Sequence, residues 1–579
     1  METIQDLGKY TFPALLKNSV DKFANRPALS FVDGTPLTYS QINEKSADFS
    51  RQLFSYGLNL KDKIAIFASG QPNWGIAYFG IVNCGMIAVP LLQDFSATEV
   101  SSIVDHCGVS AFIVEEKLYE RIKELKNLPP VIIKLDDFSI IRNDNGIKEN
   151  FSVPQYEVQE DDTASIIYTS GTTGRSKGVE LSHKNLVWNG IQGQTYHRVT
   201  KMDRCLSFLP ISHVYEFTIG FTMQMMNGSC VYYLGKPPVV SALLPAFNKI
   251  QPTIVISVPL VVEKIYKNAV APAFEKSAFT RTLYKFKAGR KFLHKVAAKK
   301  LKKKFGGHIV FFGIGGAKVD PKVERFMKDG KFPYAVGYGL TETAPLLAGS
   351  GTKSTVPGCI GPVMEGVELK IINADEKTGV GEIAVKGPNV MKGYYKAPEL
   401  NAENFTTKDD ECGEGYFKTG DLGLFEKKKG KLYLTLKSRS KNMILGPSGE
   451  NIYPEDIEFV LNQNQFVSES LVVEGVEGLV ALITLDEEKF QKEAENRSKL
   501  NIPNFMEKAS EFARDIAAQK EAILGEIQYF VNSKVNKNSR INKVKKIDSF
   551  EKTASQKIKR YLYDLKSSIL KDKDSKNEN

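Results

Sequence analysis

Two hydrophobic rhythms alternate along the first 160 or so residues of this chain. Short apolar, β-branched runs alternate with longer amphipathic stretches. The continuous run Lys63 to Ser69 predicts a buried strand, Trp74 to Cys84 a helix, and Gly85 to Pro90 a second strand. Ser96, with Glu99 three positions on, has the spacing of a capping box and predicts a helix start. Ala111 to Val114 then predicts another strand. The βαβα order implies a mostly parallel sheet covered by helices. The rhythm returns with a strand at Thr253 to Val258, a helix at Pro259 to Lys267, and a strand at Ile309 to Ile314. Beyond Gly358 the chain turns to short strands between Gly/Pro turns: Val367 to Ile372, Gly381 to Gly387 and Lys431 to Leu436. These predict a small β-rich subdomain. After Lys437, strands at Ser470 to Gly475 and Leu479 to Leu485 lie among charged helical stretches.

The expected fold class is α/β. A large N-terminal domain of mostly parallel sheets with helices, plus the small β-rich subdomain, spans 1–436. A smaller α+β C-terminal domain spans 442–570. A chain of 579 residues exceeds one ordinary core, which fits this division. The charged, apolar-poor end at 571–579 predicts a disordered tail.

Composition narrows the class. With 42% hydrophobic and 25% charged residues the chain reads as a soluble globular protein. It contains no charge-free apolar run of about 18 residues, so no spanning helix is expected. The first residues, METIQDLGKYTF, carry acids and lack the apolar core of a signal peptide, so a cytoplasmic location is expected. Cys84, Cys107, Cys205, Cys230, Cys359 and Cys412 form no close pairs. Neither a zinc site nor a disulfide framework is expected of them. The net charge of +11 suits polyanionic small substrates or an acidic membrane surface. No nucleic-acid recognition motif accompanies it, so a nucleic-acid partner is not expected. One segment concentrates the charge. From Lys276 to Lys304 about a dozen Lys and Arg occur with no acid, interleaved with Phe279, Tyr284, Phe286, Phe292 and Val296. This predicts a basic amphipathic helix. It serves either a membrane surface at the inner face of the cell membrane, or an ordinary solvated face with its apolar side on the core.

The strongest chemical signal is SIIYTSGTTGRSKGVELSH, Ser165 to His183. Ile166 to Tyr168 predicts a buried strand feeding a loop from Thr169 to Gly178. Gly171, Gly174 and Gly178 let backbone amides approach an anion. The hydroxyls of Thr169, Ser170, Thr172 and Thr173 can donate to phosphate oxygens, and Arg175 and Lys177 can neutralise charge. A Walker-type loop would need Gly-Lys-Ser/Thr, and here Lys177 lies between Ser176 and Gly178, so that pattern fails.

The stretch resembles the phosphate-binding signature of the adenylate-forming (AMP-binding) superfamily. Within that superfamily the chain is most similar to bacterial long-chain fatty acid–CoA ligases. It departs in having Ser176 where proline is usual. Further motifs recur in family order. Gly315-Gly316-Ala317 and Tyr338-Gly339-Leu340-Thr341-Glu342 resemble the segments that hold adenine, α-phosphate and magnesium, with Glu342 as the metal residue. Asp421, in Tyr416 to Asp421, resembles the aspartate that binds both ribose hydroxyls. Arg439 resembles the arginine supporting the ribose, and 437–441 resembles a hinge that makes the C-terminal domain mobile. Gly449 resembles a glycine lining the thiol tunnel. Lys557, in Thr553 to Arg560, resembles the catalytic lysine of adenylation, although Gln556 stands where glycine is common. His213, in Leu206 to Glu216, resembles a residue of the acyl site wall.

The resemblance implies ATP, Mg2+ and CoA as cofactors and cosubstrates, with Lys557, Thr341, Glu342 and Lys177 as catalytic residues. It implies activation of a long-chain fatty acid to acyl-AMP, then transfer to CoA. Transfer to an acyl carrier protein is the alternative, since a basic surface suits an acidic carrier. A catalytically silent acyl- or nucleotide-binding protein is a second alternative, and the joint presence of Lys177, Glu342, Asp421, Arg439 and Lys557 argues against it. A long acyl chain favours a buried apolar tunnel. At ~0.8 kcal/mol per buried CH2, about fifteen methylenes supply roughly 12 kcal/mol gross.

Overall fold

The computed structural model describes residues 7–149, 151–170, 176–445, 451–475, 478–501, 509–553 and 557–563. Two eight-stranded sheets form most of the large N-terminal domain. In one, Lys63–Phe67 lies between Ile87–Leu91 and Ala111–Val114, and all three run parallel. Thr163–Ser170 continues that sheet in parallel, and Ser176–Ser182 and Gly393–Tyr394 extend it antiparallel. In the other, strands run parallel from Tyr334–Gly339 across Phe311–Ile314, Ile254–Ser257, Arg204–Ser207 and Cys230–Tyr233 to Pro27–Phe31. Ile64, Ala65, Ile66 and Phe67 are all fully buried. Helices cover both faces of such a strand, so its side chains are apolar without alternation.

The predicted helix near Trp74 spans Pro72–Val82, and Pro72 supplies a preset first turn. The capping box of Ser96 and Glu99 is formed and opens Ala97–Cys107. A four-stranded antiparallel sheet, Glu368–Ile372, Gly381–Lys386, Phe417–Lys428 and Lys431–Arg439, makes the β-rich subdomain. The last of these strands runs through to Arg439, which pairs with Asp421 beyond an irregularity in register after Leu436. The smaller C-terminal domain packs Val467–Gly475, Gly478–Leu485 and Ile541–Lys546 against Pro454–Leu461 and Ala509–Asn532. The tail at 571–579 lies outside the described residues.

The basic segment departs from the single helix expected. It folds as Ala278–Lys285 and Lys287–Lys304, separated by an extended Phe286. The two helices meet closely at Gly289, where an added Cβ would sit 2.2 Å from the Leu283 carbonyl oxygen. His294 ties the pair to the core. Its ring nitrogens lie 3.2 Å from Asp329 Oδ2 and 3.2 Å from the Tyr284 hydroxyl. Among the described residues no helix is long and apolar enough to cross a membrane. All six cysteines are free.

Candidate active site

Both described ends of the predicted phosphate loop belong to paired strands. Thr163–Ser170 and Ser176–Ser182 pair antiparallel, with Thr169 opposite Lys177 and Ser170 opposite Ser176. The expectation of a continuous loop from Thr169 to Gly178 is therefore corrected at both ends. Gly171, Thr172, Thr173 and Gly174 lie outside the described residues. A distant partner stabilises the second strand. Gly393–Tyr394 pairs with Glu180 and Val179, and the Tyr395 amide donates to the Gly178 carbonyl at 2.8 Å. These bonds satisfy backbone groups that the polar local sequence leaves open.

The pairing brings Tyr394 under Lys177, whose ammonium lies 4.9 Å from the ring centroid. Desolvation lowers the Lys177 pKa, and Lys441 adds to this; Glu342 and Glu403 pull it back. The Tyr394 hydroxyl donates to Glu342 Oε1 at 2.9 Å. Thr341 and Glu342, both half-buried, lie on a short 3₁₀ turn, Thr341–Thr343. The turn is held from behind, where Asn389 Nδ2 donates to the carbonyls of Thr343 and Leu346, each at 2.9 Å. Gly339 enters this turn where a Cβ would lie 1.7 Å from the Pro345 carbonyl oxygen, so no larger residue fits without backbone movement.

Asp421 and Arg439 face each other across the antiparallel pair Phe417–Lys428 and Lys431–Arg439. Arg439 Nε lies 2.7 Å from Asp421 Oδ1, and the buried Tyr338 hydroxyl donates to Oδ2 at 2.8 Å. Burial pushes the Asp421 carboxyl up, while Arg439, Tyr338 and Lys557 oppose the rise. Gly315 follows the strand Phe311–Ile314 and packs so that a Cβ would sit 3.1 Å from the Tyr215 ring. Gly316, at φ +91°, and Ala317 are exposed beyond it. In open α/β sheets, such positions at the carboxyl ends of parallel strands are where ligands bind.

His213 accepts the Tyr215 amide at Nδ1, 3.3 Å away, which places its proton on Nε2. Desolvation, with a smaller contribution from Lys557, pushes its pKa down to about 4, so the imidazole is neutral at pH 7. Lys557 comes from the smaller domain yet reaches the same cleft. Burial and Arg439 lower its pKa, and Asp421 and Glu342 work the other way. The lysine keeps solvent contact, so this is the desolvation of a cleft mouth and not of a sealed core. Its segment is anchored to the smaller domain. Phe550 is buried with Leu471 and Leu482, Lys552 Nζ lies 2.6 Å from Glu469 Oε1, and Arg560 pairs with Glu458. Gly449 lies outside the described residues.

The structure thus gathers Lys177, Glu342, Asp421, Arg439, His213 and Lys557 around one cleft, with Tyr338, Gly339 and Gly315 in its walls. Residues 16–395 match the AMP-binding enzyme family. This chain belongs to that family. As an AMP-binding enzyme it is 28% identical to the long-chain-fatty-acid–CoA ligase FadD15 of Mycobacterium bovis, over 81% of this chain and 80% of that protein. It is 27% identical to the long-chain-fatty-acid–[acyl-carrier-protein] ligase AEE15 of Arabidopsis thaliana, over 85% of this chain and 79% of that protein. Its fold matches the o-succinylbenzoate coenzyme A synthetase MenE of Bacillus subtilis, solved with ATP and a magnesium ion. That match has a TM-score of 0.70 and 22% identity, covering 94% of this chain and 98% of that one.

Sequence reasoning missed Tyr394 in this AMP-binding enzyme. Its available signal was the Gly393-Tyr394-Tyr395 run after the Gly387-Pro388-Asn389 turn, but the contact to Glu342 depends on strand pairing across the fold. The site also suits a hard cation supplied together with a nucleotide. Among the described residues no cluster of three His, Cys, Asp or Glu could hold a metal by itself. Glu342 nevertheless offers a carboxylate that no described Lys or Arg neutralises by direct pairing, and Mg2+ is commonly held by one carboxylate plus substrate phosphates. A separate apolar cavity between Val262, Tyr266, Leu301 and Phe326 measures about 10 Å3, too small for an acyl chain.

Proposed function

We propose that this enzyme is a long-chain fatty acid–CoA ligase of the AMP-forming type. The observation that carries the reading is Lys557, brought from the smaller domain to the cleft that holds Asp421, Arg439 and Glu342. In the first half-reaction a fatty carboxylate oxygen attacks the α-phosphorus of ATP. The bond from that phosphorus to the bridging oxygen breaks, and pyrophosphate leaves. In the second, the CoA thiolate attacks the acyl carbon, the acyl–phosphate bond breaks, and AMP leaves. Neither step needs a covalent enzyme nucleophile, so catalysis is positioning and charge stabilisation.

Lys177 is assigned to the leaving phosphates and Glu342 to Mg2+, which supplies charge neutralisation when bound. Asp421 is assigned to the ribose hydroxyls with Arg439 behind it, and Lys557 to the α-phosphate and carboxylate. Thr341 joins Glu342 at the phosphates. The face of Tyr338 is assigned to adenine together with Gly315, Gly316, Ala317 and Gly339, while its hydroxyl is committed to Asp421. Neutral His213 is assigned to the acyl wall. Residues 437–441 are assigned as the pivot between the domains and Gly449 to the thiol approach. A carrier-protein acceptor is the second reading, favoured by the similarity to a ligase named for that acceptor. The test is a fatty-acid chain-length series with ATP, following pyrophosphate and thioester separately, with CoA and carrier as rival acceptors. Thioester formed only on the carrier would replace the first reading by the second. No pyrophosphate with any acid would overturn both.

A further inference from the structure

The helices Ala278–Lys285 and Lys287–Lys304 present two unlike faces. The inner face buries Ala298 and Leu301 in a core cluster shared with Val323 and Phe326. Outside that cluster, Phe279, Phe286 and Phe292 are exposed at 74%, 64% and 60%. Aromatic side chains normally bury 150–250 Å2 each, so three on one short segment forgo a large hydrophobic gain in water. Phe292 and Val296 recur at helical spacing with the exposed Lys295, Lys299 and Lys303, which gives an apolar stripe edged by ammonium groups. Arg281, Lys285 and Lys287 flank the other two rings. No acid occurs between Lys276 and Lys304. Arg290 turns inward, 3.9 Å from Asp329, but none of Lys295, Lys299 and Lys303 has a carboxylate partner among the described residues. Compensation of the helix dipole accounts for the lysines of the last turn and not for those before it.

We propose that this face is a peripheral docking surface for an anionic lipid bilayer. The phenylalanines enter the headgroup boundary and the lysines meet lipid phosphates. Charge alone would suit an acidic protein equally. The rings decide between them, because a bilayer boundary accepts apolar side chains at any spacing, whereas a protein must provide a matching pocket for each. The absence of a spanning helix among the described residues makes such contact one-sided.

The inference stands apart from the catalytic reading, so its test uses the full chain without acid, ATP or CoA. Sedimentation with phosphatidylglycerol-containing vesicles is compared with pure phosphatidylcholine vesicles. The natural chain should partition roughly a hundredfold or more in favour of the anionic vesicles, and lose that preference near 1 M salt, where the Debye length is roughly 3 Å. Neutralising a lysine should weaken binding about fivefold each, so Lys295→Gln, Lys299→Gln and Lys303→Gln together should cost roughly a hundredfold. Phe279→Ser, Phe286→Ser and Phe292→Ser together should weaken binding while keeping its salt dependence. Thermal melting serves as the fold control, since every substituted residue is exposed. Equal partition to both vesicle types, unchanged binding by the phenylalanine variant, or binding to an acidic carrier protein in place of vesicles would each overturn the proposal.

Discussion

Tyr394 touches two opposite charges at once. Its ring faces the Lys177 ammonium and its hydroxyl donates to Glu342. It therefore fixes the spacing between the groups assigned to the leaving phosphates and to the metal. Tyr394→Phe keeps the ring and deletes one charge-assisted hydrogen bond, worth about 1.5–3 kcal/mol. ATP–pyrophosphate exchange should fall roughly tenfold to a hundredfold, with the Mg2+ requirement moved to higher concentration. Tyr394→Leu should fall further, because the cation–π contact goes too. An unchanged Mg2+ titration for Tyr394→Phe would reduce the residue to packing. Glu216 supplies a second test at this scale. It is buried, its Oε2 has no hydrogen-bond partner among the described groups, and burial pushes its pKa up to about 8 from 4.5. The folded protein therefore keeps a proton that the unfolded chain releases above pH 4.5. The associated stability is present below that pH and is lost as pH rises through about 8, by up to ~1.4 kcal/mol per pH unit. Glu216→Gln should flatten the decline of melting temperature between pH 5 and pH 8.

Elements explain why much of this site was legible in the sequence and part of it was not. Strands buried on both faces are written as uninterrupted apolar runs, so Lys63–Phe67 and Ala111–Val114 were visible from hydropathy alone. The helix start at Ser96 was visible because a capping box is local chemistry. The hairpin Thr163–Ser182 was half hidden. Its second strand carries polar residues and glycine, and it is completed by Gly393–Tyr394, far along the chain. The break at Phe286 was hidden for another reason, since the close approach of Gly289 to Leu283 across it leaves no mark in the hydropathy pattern. Tyr338 was legible as part of the segment resembling an adenine site, but its hydroxyl bond to Asp421 needed two sheets to be placed together. The segment bearing Lys557 is likewise an element with one job. Phe550, Lys552 and Arg560 hold it to the smaller domain on both sides of the lysine. Lys557→Ala should lose adenylation by roughly 10²–10³, as for removal of one charge-stabilising donor. It should still form thioester from supplied acyl-adenylate. Equal loss in both half-reactions would contradict a role for Lys557 confined to the first.

At the scale of the whole molecule, polar contacts among the described residues link the smaller domain to the large one. Lys318 lies 2.9 Å from Asp456 and the Lys267 ammonium 3.3 Å from the Val467 carbonyl oxygen, both across the boundary. The Lys318 pair is exposed, and such pairs contribute about 0.2–1 kcal/mol. Lys318→Glu should therefore slow adenylation only about twofold to fivefold, and should leave thioester formation from supplied adenylate unslowed. Stopped-flow measurement of each half-reaction would check this, and a larger loss in the second half-reaction would refute it. Arg439 is at once the partner of Asp421 and the last residue of the strand that leads out of the large domain. A molecule gripping Asp421 on one side and Lys557 on the other would span the boundary about which the proposed pivot at 437–441 turns. An unreactive mimic of the acyl-adenylate would act as such a tether. Its slow escape would come from arresting the domains, and its residence time should shorten in Lys557→Ala far more than its rate of entry changes.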